Sequence, residues 1–223
     1  MQQISISTYH EYILEAIFSL REGLKISKSS HESSDLLEMQ NGIFGEIYCR
    51  YSFLMLANAL EAGANALLLS VYSDTDIFDE IENLNTLFKF QLFCRSFDKL
   101  LPRGNHRCSR IKELIRCRNE FVHPKPRKVG FKVDEDNLVV DYDIQKTNER
   151  HYPHYFAELK PYHVMLALED TLDFISWICF DICKLSVADG TLRLGLNSYS
   201  ATGDIDIIEA EYGKKFDKRS FGK

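Results

Sequence analysis

No two of the six cysteines form a CxxC pair, and no histidine stands at zinc-finger spacing from a cysteine pair. A structural zinc site of the finger type is thereby excluded. Walker A, GxGxxG, GxSxG and HExxH patterns are also absent, which removes the phosphate-loop, dinucleotide, hydrolase-elbow and zincin readings. There is no internal repeat and no low-complexity linker. The opening residues MQQISISTYHEY have neither a basic start nor a continuous apolar run, so no secretory signal is expected. With no export signal, Cys49, Cys94, Cys108, Cys117, Cys179 and Cys183 are expected as reduced structural thiols in a cytoplasmic protein. A strong charge excess is missing too. The net charge of -6 excludes a uniformly basic nucleic-acid coat, though not a local basic patch.

What remains is an ordinary globular composition, with 45% hydrophobic and 27% charged residues in 223. That length suits a single domain over 1–223 with a sizeable core. The most apolar stretch, 52–72, is long enough to span a bilayer, but Asn58, Glu61 and Asn65 interrupt it. A carboxylate at the bilayer centre is costly, so a buried bundle helix is expected and no membrane partner.

Apolar spacing then lays out the chain. Thr8-x-x-Glu11 makes a capping box ahead of Ile13, Ile17, Leu20 and Leu24, in a helix that fades over 27–34. Further helices are expected over 42–72, 84–100, 106–122 and 162–186, with Ile111, Leu114, Ile115, Phe121 and Val122 inward on the fourth. Pro124 stops that fourth helix, and Pro161 suits a first turn. Between them the period changes: Phe131, Val133 and 138–140 flank Asp134-Glu135-Asp136-Asn137, a hairpin within a 128–160 insertion. Leu192, Leu194 and Leu196 alternate, so the 187–223 extension is expected to be β-like, ending in a frayed basic tail. The fold class is therefore all-α, a bundle of four to five helices with a small β-hairpin insertion and a β-like C-terminal extension.

Positive charge gathers in one place. Between Lys99 and Lys128 ten bases, among them Arg110, Lys112, Arg116, Arg118, Lys125 and Arg127, face only Glu113 and Glu120. This stretch carries +8 and the rest of the chain −14. Two readings stay open: a focused site for a polyanion such as RNA, and a solvated helix face balancing acidic neighbours. The same segment ends in Arg118-Asn119-Glu120-Phe121-Val122-His123-Pro124. Five residues set Arg118 and His123 about 140° apart on an ideal helix. Pro124 forces His123 into extended geometry, and Asn119, one turn below, is placed to orient its ring. A permanently charged arginine beside a histidine that titrates near neutrality suits phosphodiester chemistry. Alternatively, both side chains simply cap the last carbonyls of the helix.

The R-N-x-x-x-H pattern of Arg118, Asn119 and His123, late in a helical bundle, resembles the HEPN superfamily (higher eukaryotes and prokaryotes nucleotide-binding domain). The resemblance covers about 9–123 and 162–186. It implies a helical bundle that dimerises, and in active members a metal-independent endoribonuclease that needs no cofactor. Such members are frequent in toxin–antitoxin and other prokaryotic defence systems, where a protein antitoxin is a partner. Inactive members bind RNA, a nucleotide or a protein. On this chain the resemblance makes His123 the general base or acid, Arg118 the phosphate holder and Asn119 the positioning group. Arg110, Arg116, Lys125 and Arg127 would contact single-stranded RNA, and DNA would be inert. One branch of the superfamily carries a tyrosine two residues after the histidine; here that position is Lys125.

Weaker signals complete the reading. Glu61 and Asn65, with Asn58, form a polar stripe on an apolar helix; Glu61 either pairs with Arg118 or lines the cleft, or else meets an interior donor or faces the dimer seam. His151, His154 and His163 alternate with Tyr152, Tyr155 and Tyr162. A packed loop is the plainer expectation there, over RNA stacking or a metal site.

Overall fold

Helix α1 spans Tyr9–Ser29 and buries Tyr9, Ile13, Ala16, Ile17 and Leu20 along one stripe, as the four-residue spacing requires. It packs antiparallel against the long helix α2, Asp35–Leu69. At Gly23 the two backbones come close. A Cβ there would stand 3.0 Å from Tyr48 Cβ and 3.1 Å from the Gly45 carbonyl oxygen. Farther along the pair, the Ser52 hydroxyl donates to the Ala16 carbonyl at 2.6 Å. The computed structural model describes residues 8–29, 35–72, 80–81, 83–123, 130–133, 139–143, 151–153 and 158–194.

Helix α2 starts seven residues before the expected position, since Gly42 lies within the helix and does not open it. Its Gly45–Leu69 stretch is long and apolar enough to cross a membrane, yet more than half of it is buried within this bundle. Helix α3, Thr86–Arg95, begins on Asn85, whose side chain accepts from Leu87 N–H. It ends short of the expected residue 100 because Asp98 turns left-handed, with φ 56°. Lys99 N–H then reaches the Cys94 carbonyl and Asp98 N–H the Arg95 carbonyl, a Schellman closure.

Helix α4, His106–Val122, has the expected bounds, capped by Asn105. Ile111 and Leu114 are buried and Ile115 and Phe121 half-buried, but Val122, expected inward, is exposed at the last residue of the helix. Two short strands follow. β1, Gly130–Val133, pairs antiparallel with β2, Val139–Asp143, in the register Gly130↔Asp143 to Val133↔Val139, with an irregularity at Lys132/Val133. The turn that was expected to join them lies outside the described residues.

Helix α5, Pro161–Ser176, has Pro161 at its first turn and runs into a π-helical segment, Trp177–Ile182. The single helix expected over 162–186 is thus interrupted. Cys183 N–H bonds to the Ile178 carbonyl five residues back, and Lys184, with φ 56°, ends the element.

The start of the C-terminal extension is helical rather than β-like, which corrects the expectation from leucine alternation. Ser186 accepts from Asp189 N–H and opens helix α6, Val187–Arg193. A local cap outweighs a period-two pattern that has no partner strand among the described residues. Gly190 lies on the π segment, where a Cβ would stand 2.7 Å from the Phe180 ring. Arg193 then ties α6 to the end of α2 through the Ser70 carbonyl and hydroxyl. Residues 195–223, including the expected strands and basic tail, lie outside the described residues.

The described part is therefore an all-α bundle of six α-helices with a short two-stranded ribbon. One apolar cluster runs through it, with Phe53, Phe90, Phe93 and Phe174 at its centre. Phe90 meets Phe174 edge-on at 5.1 Å.

Candidate functional site

The last turn of α4 carries the motif. His123 is the residue after the helix, with φ −123° and ψ 67°, and its backbone N–H donates to the Asn119 carbonyl at 2.9 Å. Asn119 uses its side chain differently from expectation. Its Oδ1 accepts from Arg118 Nη1 at 2.9 Å, so the amide steadies the guanidinium rather than the imidazole. Asn119 thus links the other two residues, one through its main chain and one through its side chain. Asn119 and His123 are exposed and Arg118 is half-buried.

Below the motif, Asn119 and His123 open on a cavity of about 670 Å³ shared with Lys112, Ile115, Arg116 and Glu120. Positions 112, 115, 116, 119 and 123 fall on successive turns of one α4 face. Arg118 is absent from that lining, as its angular offset from His123 anticipates.

Three arginines of the basic stretch are neutralised by carboxylates of the same chain. Arg107 makes a two-pronged ion pair with Asp173 at 2.6 and 3.0 Å and lies over the Trp177 ring. Arg110 donates to Asp170 at 2.8 Å, and Arg116 to Glu120 at 3.1 Å with Glu113 at 3.7 Å. Arg103 hydrogen-bonds Gln91. The balanced-face reading therefore describes Arg107, Arg110 and Arg116, two of which were expected to bind substrate. Lys112 and Arg118 make no ion pair among the described residues. Lys125 and Arg127 lie outside the described residues.

Glu61 does not reach the motif. It accepts from Lys89, whose side chain is 1% exposed, and from the Thr86 hydroxyl. The interior-donor alternative for Glu61 therefore holds. Asn65 keeps a buried Oδ1 with no hydrogen-bond partner among the described residues.

One cluster escaped the sequence reading. Asp170, almost fully buried on α5, accepts from Arg110, from the fully buried Tyr152 hydroxyl at 2.7 Å, and lies 2.7 Å from His151 Nε2. Burial alone would push its carboxyl up, but the hydrogen bonds from His151, Tyr152 and Arg110 outweigh that and hold it below the usual carboxylate value. Tyr152 N–H donates to Glu113 and the Cys117 thiol to the Pro153 carbonyl, so 151–153 is clasped onto α4. Tyr152 packs edge-on against Phe53, which in turn meets Phe121 of the last α4 turn. A signal for this was present. Arg107 and Arg110 repeat at three residues, as do Asp170 and Asp173, a spacing that matches charges across two packed helices.

His151 and His163 thus have structural partners. His163 Nδ1 accepts the Lys160 N–H at 3.0 Å, while burial, then the Lys160 and His151 charges, lower its pKa to about 4. His154 lies outside the described residues. Among the described residues no group of three or more His, Cys, Asp or Glu is placed to hold a metal ion. No family model, curated protein or solved structure matches this chain, so the likeness to the HEPN superfamily rests on Arg118, Asn119 and His123 in their helical setting.

Proposed function

We propose that the chain is a metal-independent endoribonuclease of the HEPN type, acting as a homodimer in a toxin or defence role. The observation that carries the reading is the end of α4, where Asn119 links Arg118 to His123 beside a cavity with Lys112 at its wall. His123 takes the proton from a ribose 2′-hydroxyl, whose oxygen attacks the adjacent phosphorus. The bond from phosphorus to the 5′-oxygen breaks, that oxygen takes a proton from water, a 2′,3′-cyclic phosphate remains, and His123 returns its proton to solvent. Arg118 neutralises the charge that gathers on the phosphate oxygens. Within one chain Arg118 and His123 leave α4 on different flanks. In the dimer a two-fold axis at this end of α4 sets the arginine of one motif against the histidine of the other. A protein antitoxin would act by covering this end of α4.

A non-catalytic HEPN-like module that binds RNA, nucleotide or protein is favoured by a specific observation. Arg116 at the motif cavity is already paired with Glu120, and this carboxylate on the cavity wall opposes the charge that gathers on a reacting phosphate. Cleavage of labelled single-stranded RNA in EDTA separates the two. Cyclic-phosphate ends from the wild type, lost in Arg118→Ala and His123→Ala, are expected. Undiminished cleavage by His123→Ala, or none by the folded wild type on varied RNAs, overturns the nuclease reading.

A further inference from the structure

A second cavity, of about 460 Å³, lies beside the motif cavity and shares Asn85, Leu87 and Lys112 with it. Its remaining walls are Leu84, Phe88, Leu101, Arg103 and Cys108. The pair forms one groove along α4, from Cys108 to His123, closed on its other side by the start of α3. The two halves differ in chemistry. The motif half is lined by Arg116, Asn119, Glu120 and His123, whereas the far half is walled by leucines and the Phe88 ring with cations at its rim.

We propose that the far half is a subsite for one unpaired nucleobase of the RNA strand, separated from the scissile phosphate by more than one nucleotide. This rests on the ribonucleotide reading of the motif. A base has two apolar faces and a polar edge, and the pocket offers both kinds of surface. Phe88, Leu84 and Leu101 provide the stacking wall. Asn85 provides the edge contact: its Oδ1 is taken by Leu87 N–H, so the amide nitrogen keeps two donors for a base carbonyl or ring nitrogen. Lys112, exposed and lining both halves, is the bridge that holds an intervening phosphate. It lies eleven residues before His123, about 16 Å along the helix axis. A mononucleotide does not span that separation. Affinity therefore grows with strand length until both halves are filled, and the identity of the distant base sets sequence preference.

The test is fluorescence anisotropy on the full chain with labelled 2′-O-methyl oligonucleotides of one to eight residues, which bind without being cut. Affinity rises steeply over the first few residues in the wild type. Lys112→Glu removes the bridging cation at an exposed site, and Leu84→Trp fills the far pocket at a half-buried turn position. Each is expected to weaken the longer oligonucleotides at least tenfold, and Lys112→Glu, at a residue that lines both halves, to weaken the mononucleotide as well. Circular dichroism and thermal midpoint check the fold of both, and either variant alone suffices if the other fails to fold. Wild-type affinity in the folded variants overturns the subsite and leaves the nuclease reading standing. Length-dependent binding through Lys112 and Leu84 without cleavage of ordinary RNA keeps the subsite and overturns the nuclease. No binding at any length overturns both, and tight capture of free nucleobases alone overturns the strand-bound role.

Discussion

Replacing Asp170 with alanine tests the buried polar network that joins α4, α5 and 151–153. The carboxylate is 6% exposed and accepts hydrogen bonds from Arg110 and Tyr152, with His151 alongside. Its loss leaves the Tyr152 hydroxyl buried with no acceptor, which costs about 1–3 kcal/mol. The Arg110 side chain, 44% exposed, turns to water and adds no more than about 1 kcal/mol. Asp170→Ala should therefore destabilise by about 1–4 kcal/mol in urea unfolding followed by helical circular dichroism. Tyr152→Phe should cost about 1 kcal/mol, and the double variant less than the two singles combined, because both remove one bond. The pH dependence carries a sign. Because the folded carboxyl is held below the usual 3.8, its stabilisation is present above that value and is lost as pH falls through the folded value. The gap between wild type and Asp170→Asn should thus narrow only on strong acidification. An Asp170→Ala cost under about 0.5 kcal/mol, typical of an ordinary surface change, would refute the argument.

Three other outcomes follow from single contacts. Glu61→Ala strands the buried Lys89 ammonium and should cost about 2–4 kcal/mol in the same unfolding assay, below the fully buried range because Glu61 is 40% exposed. Lys89→Met, which removes the charge and keeps the volume, should lie within about 1 kcal/mol of wild type; a loss as large as that of Glu61→Ala would contradict this. His163, lowered to about 4 by burial first, must gain its proton mainly in the unfolded chain, so stability falls as pH drops from about 6.5 to about 4, by at most about 3 kcal/mol. Thermal midpoints against pH should lose that portion of slope in His163→Gln. Gly23→Val must push Tyr48 and the Gly45 carbonyl away, costing about 1–3 kcal/mol by separating α1 from α2, read by thermal unfolding.

Legibility varied with the range of the interaction. The bounds of α4 could be read because Asn105 and Pro124 flank it, and its inward face follows from spacing alone up to Val122. Helix α3 could not be delimited, since it ends on a left-handed Asp98, a conformation seldom signalled by aspartate. Alternating leucines over 192–196 suggested strand, yet Ser186 and Asp189 cap a helix, and period two means little without a neighbour to pair with. Glu61 was left between an interior donor and the cleft, and the choice of Lys89 and Thr86 depended on α3 crossing α2.

The sequence by itself determined the helical class, the boundaries set by local caps and prolines, and the presence of Arg118, Asn119 and His123 at one helix end. These are consequences of short-range spacing and backbone restriction. Only the tertiary structure decided which charges were left free. Arg107, Arg110 and Arg116 look like an anion site until Asp170, Asp173, Glu113 and Glu120 are brought within ion-pair distance. It likewise set Asn119 on Arg118 rather than on the imidazole, and joined two cavities along α4 into one groove. Charge counting along a chain is one-dimensional, whereas neutralisation depends on distances that only packing establishes.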